Sequence, residues 1–446
     1  MAAYLSRLHH ISLHVCNVDK LAQDLVSKFQ FRVFAARLTA GARQLAFRKG
    51  AAVFVVTERP GCGGGAAAAA GQGQGHVQEH VQKDVQEDAC PGRIGGVLYD
   101  VRRPHYSVDS ACNVCFEVED VERSSESLRA RGCDFLVPPT RVRDDGGLVP
   151  YSVVKSVVGN VCHTLVDTSR YRGPFLPGFS AVGSAAEDDE EDARCPVTHF
   201  DHVTYACPRR SAAEVMRWYE GNFGFQRFFI SRNEDAEEGY VLDQDGIGLR
   251  LTAMEYWKCN ETGIRFPLKE KDGTELDCKF VIAESLPEQG RNQVDTFLEQ
   301  HGGPGIQHIG LFTQDIVSTA EAMANAGVQF FCPPAAYYTE VGRQQEIEEV
   351  GYDPKTLMQH GILLDTDLRV EEQDSSACSK RYLLQVFTKP IFSKDTFFLE
   401  LIERRGATGF GEGNIRALWR SVQSYMEKNK EDQEHASVKS KQTGQH

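Results

Sequence analysis

Four stretches of this 446-residue chain repeat one pattern, and the repetition limits the folds open to it more than any other feature. Each runs from a short alternating strand through a polar break into an amphipathic helix, and then into an aromatic-ended strand. They are "LHHISLHVCNVDKLAQDLVSKFQF" from Leu8, "NVCFEVEDVERSSESLRARGCDF" from Asn113, "FDHVTYACPRRSAAEVMRWYEGNFGF" from Phe200 and "IQHIGLFTQDIVSTAEAMANAGVQFF" from Ile306. Strand and turn signals follow each helix, so the pattern predicts a βαβββ unit used four times. Paired units would form a curled sheet with its helices outside, giving two barrel-like domains of α+β class.

Other segments lack the pattern. Residues 61–93 form a Gly/Ala/Gln-rich insertion in which His76, Glu79 and His80 follow the H-x-x-E-H order of some zinc proteases. Low complexity, no apolar stripe and no third ligand argue against a metal site there. The expected division is an N-terminal domain without metal at 1–180, an acidic linker at 181–198, a C-terminal catalytic domain at 199–428 and a disordered polar tail at 429–446. Residues 369–380 read as a surface loop.

A net charge of −14 with no basic stripe excludes nucleic acid and anionic membranes as partners. No run approaches the length of a membrane span. The 13 cysteines are scattered, and the one close pair, Cys112 and Cys115, has no second pair at zinc spacing, so reduced thiols are expected. The chain has no acid before Asp19 and carries Arg7, which is compatible with organelle import, although Leu8 to Val15 already reads as the first strand.

In the fourth copy, "GIQHIGLF" sets His308 in the middle of a strand, on one face with Ile306, Gly310 and Phe312. A lone histidine there is usually structural. Aligning the copies puts His202 of the third at the same strand position. A later strand, "TFFLELIERR" (396–405), places Glu400 between Phe398 and Ile402 on an otherwise apolar face. A buried carboxylate is costly unless something charged meets it. Two strand histidines and one strand carboxylate are the ingredients of a 2-His-1-carboxylate site, which leaves open positions and suits non-haem Fe(II). The N-terminal half is an internal control: its matching positions are His10, Asn113 and Thr164, of which only the first could ligate. His9, His163, His199, His301 and His360 recur at no equivalent position and read as structural.

"FDHVTY" (200–205), "GGPGIQHIGL" (302–311), "LLQVFTKP" (383–390), "FFLELIERR" (397–405) and "GFGEGN" (409–414), in that order, resemble the 4-hydroxyphenylpyruvate dioxygenase family. That family belongs to the vicinal-oxygen-chelate (glyoxalase/bleomycin-resistance-like) superfamily, and the resemblance covers nearly the whole chain. It implies that His202, His308 and Glu400 hold one Fe(II) per chain. An aromatic α-keto acid would chelate the metal, with O₂ as the second substrate. It places Gln293, Gln385, Phe387, Phe398, Phe410, Asn414, Ile415 and Leu418 around that substrate. Asn414 would cap the N-terminus of a helix that closes the site, while Trp419, Val422 and Met426 of that helix read as packing.

Two departures bear on the product. Homogentisate-forming members carry asparagine in an I-N-E stretch where this chain has Ala283, and phenylalanine where it has Ile415. A smaller aliphatic residue at the second place is a feature of the hydroxymandelate synthases. The resemblance therefore implies conversion of 4-hydroxyphenylpyruvate and O₂ to 4-hydroxymandelate and CO₂. Homogentisate formation and a catalytically silent binding protein are the alternatives. It further implies a mitochondrial location, with the cytoplasm as alternative, and a role in supplying the ubiquinone ring; it leaves room for a homodimer.

Overall fold

The computed structural model describes residues 3, 5–59, 96–101, 106–183, 195–230, 234–244, 247–256, 279–286, 289–367, 381–407, 409–411, 413–415 and 417–418. The insertion with His76, Glu79 and His80, most of the acidic linker, the 369–380 loop, Trp419, Val422, Met426 and the tail lie outside the described residues.

The four repeats fold as four βαβββ units, the third with one extra strand. The first two comprise β1 (Leu5–Val15), α1 (Val18–Ser27), β2 (Arg32–Thr39), β3 (Ala42–Lys49), β4 (Ala52–Glu58), then β5 (Ser110–Val118), α2 (Val121–Ala130), β6 (Phe135–Asp144), β7 (Gly147–Lys155) and β8 (Cys162–Val166). A short β9 (Ser180–Ala181) completes their sheet, ordered β6-β7-β8-β5-β1-β4-β3-β2-β9. The third unit has β10 (Val197–Ala206), α3 (Ala212–Phe223), β11 (Phe225–Phe228), β12 (Tyr240–Gln244), β13 (Ile247–Tyr256) and β14 (Lys279–Ser285). An added helix, α4 (Gln293–His301), leads to the fourth: β15 (Gly305–Thr313), α5 (Ile316–Asn325), β16 (Leu363–Asp367), β17 (Arg381–Phe387) and β18 (Phe398–Arg405). The second sheet is ordered β11-β13-β14-β10-β15-β18-β17-β16, with β12 on β13. These two curled sheets, each built from a pair of units, are the arrangement that the repetition implied and the vicinal-oxygen-chelate fold that the resemblance implied.

In each sheet the opening strands of two units lie antiparallel at the centre, β1 on β5 and β10 on β15. Each opening strand is flanked in parallel by the last strand of its own unit. Four strands, β14, β10, β15 and β18, thus share the middle of the second sheet and are almost wholly buried. Local chemistry agrees with these starts: Asn17, Asp120 and Asp315 accept a backbone N–H from the first turns of α1, α2 and α5. Asn292 and Asp295 form a reciprocal capping box on α4.

The halves join through an aromatic core. Tyr219 of α3 is fully buried, and its hydroxyl stands 2.8 Å from His163 Nε2, 2.9 Å from the Tyr205 hydroxyl and 3.1 Å from the Ser156 hydroxyl. His163 Nδ1 meets the Val114 carbonyl at 3.1 Å, and burial lowers its pKa to about 4, so this ring stays neutral. It is the structural histidine expected. Seven described cysteines are free thiols, whereas Cys16 is disulfide-bonded, which the expectation of reduced thiols did not include.

Tyr219→Phe removes one hydroxyl shared by three groups while keeping the ring packing. It should cost about 1–3 kcal/mol, read as a lower urea midpoint with an unchanged slope.

Candidate metal centre

His202, His308 and Glu400 come from the three adjacent strands β10, β15 and β18, and one potential ligand atom from each lies within 4.8 Å of the others. His202 Nε2 is 3.1 Å and His308 Nε2 3.7 Å from the same carboxylate oxygen, Glu400 Oε2. The two rings are perpendicular, with centroids 5.5 Å apart. Gly310 pairs with His202 on one side and Glu400 on the other. A Cβ there would stand 2.4 Å from His202 Cε1, so glycine is what makes room for the ring. Two imidazole nitrogens and a carboxylate oxygen, converging with Glu400 and His202 almost fully buried, suit a divalent cation such as Fe(II).

Each ligand is oriented from behind. His202 Nδ1 donates to Asp201 Oδ1 at 2.8 Å, which leaves Nε2 facing Glu400. A bulge between Phe200 and His202 allows these consecutive side chains to meet. Arg404 grips Asp201 through Nε at 2.7 Å and Nη2 at 2.8 Å, and its Nη1 donates to the Gly409 carbonyl. Burial opposes charge on Asp201, but the Arg404 guanidinium holds its carboxyl well below the usual carboxylate range. Burial likewise opposes charge on His202, yet Glu400 and Asp201 outweigh it and push that pKa up to about 9. Burial, followed by the neighbouring His202, keeps His308 well below the ordinary histidine value.

Glu400 is fixed through its other oxygen. Gln385 Nε2 donates to Oε1 at 2.9 Å, Asn414 Nδ2 donates to Gln385 Oε1 at 3.0 Å, and the Tyr337 hydroxyl is 2.9 Å from Asn414 Oδ1. Asn414 is therefore not the N-cap expected of it. It lies inside the first turn of the helix at 413–418, its N–H bonded to the Gly411 carbonyl at 2.9 Å. The glycine turn at Gly411 (φ +74°) starts the helix early, and a Cβ there would meet Gln385 Oε1 at 2.0 Å.

A largely apolar cavity opens beside the three ligands. Of the expected substrate residues, Gln293, Gln385, Phe387, Phe398, Phe410, Ile415 and Leu418 line it, whereas Asn414 stands one layer back. Phe398 stacks on His308 at 4.7 Å and Phe410 meets His202 edge-on at 5.4 Å. Ala283 and the aliphatic Leu249, Leu251, Val281 and Val294 complete the wall facing Ile415. Two polar lining residues were missed in the sequence. Thr204 shares the His202 face at i+2, a signal that was available. Gln307 precedes His308 and belongs on the other face by strict alternation. A bulge opposite Thr204 and Tyr205 brings both into the cavity, with Gln307 Oε1 3.3 Å from His308 Nδ1.

The N-terminal half shows the same positions put to another use. By strand register His10, Asn113 and Thr164 correspond to His202, His308 and Glu400. Asn113 Nδ2 donates to the Thr164 hydroxyl at 2.8 Å, and both donate to the backbone carbonyl of Tyr99, at 3.2 and 2.9 Å. His10 Nδ1 meets His9 Nδ1 at 2.8 Å where His202 meets a carboxylate. Two other groups of potential ligands, His9–His10–Cys115 and His14–Asp100–Cys112, occur in this half. In the second, His14 Nε2 is already held by Asp100 Oδ2 at 2.9 Å.

Residues 199–354 match the Glyoxalase/Bleomycin resistance protein/Dioxygenase superfamily model, in keeping with the paired units and the strand-borne ligand set. The chain is 42% identical to the 4-hydroxyphenylpyruvate dioxygenase-like protein of Rattus norvegicus over 427 residues, 95% of this chain and 98% of that one. It is 29% identical to the 4-hydroxyphenylpyruvate dioxygenase of Caenorhabditis elegans over 317 residues, 71% and 72% of the two chains. A triple mutant of 4-hydroxymandelate synthase from Streptomyces coelicolor shares the fold with a TM-score of 0.65 at 22% identity, over 95% of this chain and 99% of that one. The chain belongs to the 4-hydroxyphenylpyruvate dioxygenase-like family.

Asp201→Asn keeps the shape behind His202 but removes the anion that fixes its Nδ1–H. Anaerobic Fe(II) titration should show roughly 10–100-fold weaker binding, with far-UV circular dichroism unchanged.

Proposed function

We propose that this chain is a non-haem Fe(II) dioxygenase that converts 4-hydroxyphenylpyruvate and O₂ to 4-hydroxymandelate and CO₂. One observation carries the reading: His202, His308 and Glu400 converge in the lining of a largely apolar cavity that also contains Ile415 and Ala283. The three side chains would hold one Fe(II) per chain, and the metal would supply the activation of O₂ and the polarisation of the 2-oxo acid. Both oxygen atoms enter products: one completes the carboxylate formed as CO₂ leaves, and the other becomes the benzylic hydroxyl.

The remaining work belongs to the protein. The apolar wall excludes water and holds the ring, and Phe398 and Phe410 fix the imidazoles against which the substrate lies. Ile415, 9% exposed, packs in one cluster with Ala283, Val294 and Phe410. Its smaller volume, compared with the phenylalanine of homogentisate-forming relatives, leaves the aryl group free to tilt and bring the benzylic carbon nearest the metal. The pathway assignment, supply of the ubiquinone ring in the mitochondrion, rests on the family resemblance alone; subcellular fractionation finding only a cytosolic pool would count against it. Among the described residues no helix is long and apolar enough to cross a membrane.

Anaerobic reconstitution with Fe(II), followed by oxygen uptake and mass spectrometry of the product, tests the reaction. Wild type should yield 4-hydroxymandelate, and homogentisate or no turnover would reject this assignment. His308→Ala should lose Fe(II) and turnover while staying folded, whereas His10→Ala should keep both. Ile415→Phe should shift product toward ring-hydroxylated species with Fe(II) affinity unchanged. Overpacking should lower its stability by about 1–3 kcal/mol, so the product comparison is made on folded, iron-replete protein.

A further inference from the structure

The cavity beside the metal centre is lined by no lysine or arginine among the described residues; its polar side chains are the three ligands, Thr204 and the glutamines 293, 307 and 385. A 2-oxo acid entering it, as the proposed activity requires, carries a carboxylate into an apolar wall. Chelation satisfies one carboxylate oxygen. The other must find a donor or lose its hydration uncompensated. Gln385 Nε2 is already committed to Glu400 and, at 3.3 Å, to the Phe410 carbonyl.

Thr204 is differently placed. It is 3% exposed, and its hydroxyl is buried with no hydrogen-bond partner among the described residues. Native interiors seldom keep such a group without a use, since it forgoes hydration and gains nothing. Thr204 lies two residues along β10 from His202, about 6.6 Å of strand, and on the facing strand its register partner is His308. On its other side it pairs with the apolar Val281. The residue therefore sits beside the ligand triad, on the same face as His202. The phenol end of a chelated arylpyruvate would reach a whole ring further out.

We propose that Thr204 is a substrate-binding residue whose hydroxyl donates a hydrogen bond to the carboxylate of the metal-chelated 2-oxo acid. This deepens the functional reading above and rests on it. With the acid end held by the metal and Thr204, the aryl end is the part left to move, which is what selection by Ile415 requires.

The test measures anaerobic binding, without turnover, to protein loaded with Co(II) as a redox-silent stand-in. Isothermal titration compares 4-hydroxyphenylpyruvate with phenylpyruvate, which lacks the phenol oxygen, on wild type, Thr204→Val and Thr204→Ser. The valine variant should bind both ligands roughly 10–100-fold more weakly, and the serine variant should recover most of the loss. Metal affinity should be unchanged in both, and the ligand-free valine variant should be at least as resistant to urea as wild type, because it no longer buries an unpaired hydroxyl. Equal binding by wild type and the valine variant would overturn the proposal. Weakening confined to 4-hydroxyphenylpyruvate would overturn it too, by moving Thr204 to the phenol end. Metal-loaded wild type that bound neither acid would overturn the dioxygenase reading itself, a result readily told from the other two.

Discussion

The arrangement of the second sheet turns on one buried carboxylate. Glu400 is 1% exposed on a central strand, and each of its oxygens has a fixed duty. Oε2 faces the two imidazole nitrogens, and Oε1 receives the Gln385 amide. A carboxylate so placed is destabilising unless cationic charge and donors converge on it. Its surroundings read as the answer to that demand. Gly310 clears the space in which His202 can approach; Asp201 and Arg404 hold the far side of that ring; Gln385 is itself held by Asn414. Loss of one member leaves its neighbour with an unmet polar atom, so the network acts as a unit rather than as a sum of contacts.

The first sheet has the same strand order and register without that demand. Where Glu400 would stand there is Thr164, and where His308 would stand there is Asn113; both donate to the Tyr99 carbonyl, which closes the place that forms the candidate metal centre in the other half. The neighbour of the remaining histidine has changed as well. His9 stands where Asp201 supplies a carboxylate, so His10 has no anion beside it; burial lowers the His9 pKa to about 3, which keeps that ring neutral. At this place neutral groups satisfy one another. The equivalent place is thus filled from the backbone in one half and presents converging side chains in the other, while the pairing of the central strands is the same in both.

What could be read from the sequence follows from this. Repetition made the four units legible and, by alignment between copies, singled out His202 and His308; the alternation around Glu400 supplied the third group. Residues whose role depends on a break in alternation were not legible. Asp201 and Gln307 belong to faces opposite His202 and His308 in an ideal strand, and bulges bring each beside its neighbour. Arg404 is separated from Asp201 by about half the chain, and no local pattern joins them. Asn414 carried the right residue type for a cap, but the glycine turn at Gly411 sets the helix start one step earlier and turns its amide inward. Thr204 was within reach of the i+2 rule and was overlooked because its hydroxyl has no partner among the described residues to point to it.

The helix at 413–418 and the candidate metal centre are parts of one hydrogen-bonded element. Asn414 bonds Gln385, which bonds Glu400, while the next residue, Ile415, closes the apolar wall. Gly409 and Phe410, just before the helix, are held by Arg404, the same residue that orients Asp201 behind His202. Two of the three candidate ligands are therefore tied through separate hydrogen-bonded paths to the segment that also bears Ile415 of the cavity wall. A shift of that segment large enough to admit a bulky acid would disturb Glu400 through Gln385 and His202 through Asp201 together. The cavity wall and the candidate ligands are joined by covalent neighbourhood and short polar contacts. In the proposed reaction small displacements of the aryl ring would decide which carbon lies nearest the metal, and the segment that would set the ring is the one that holds the candidate ligands.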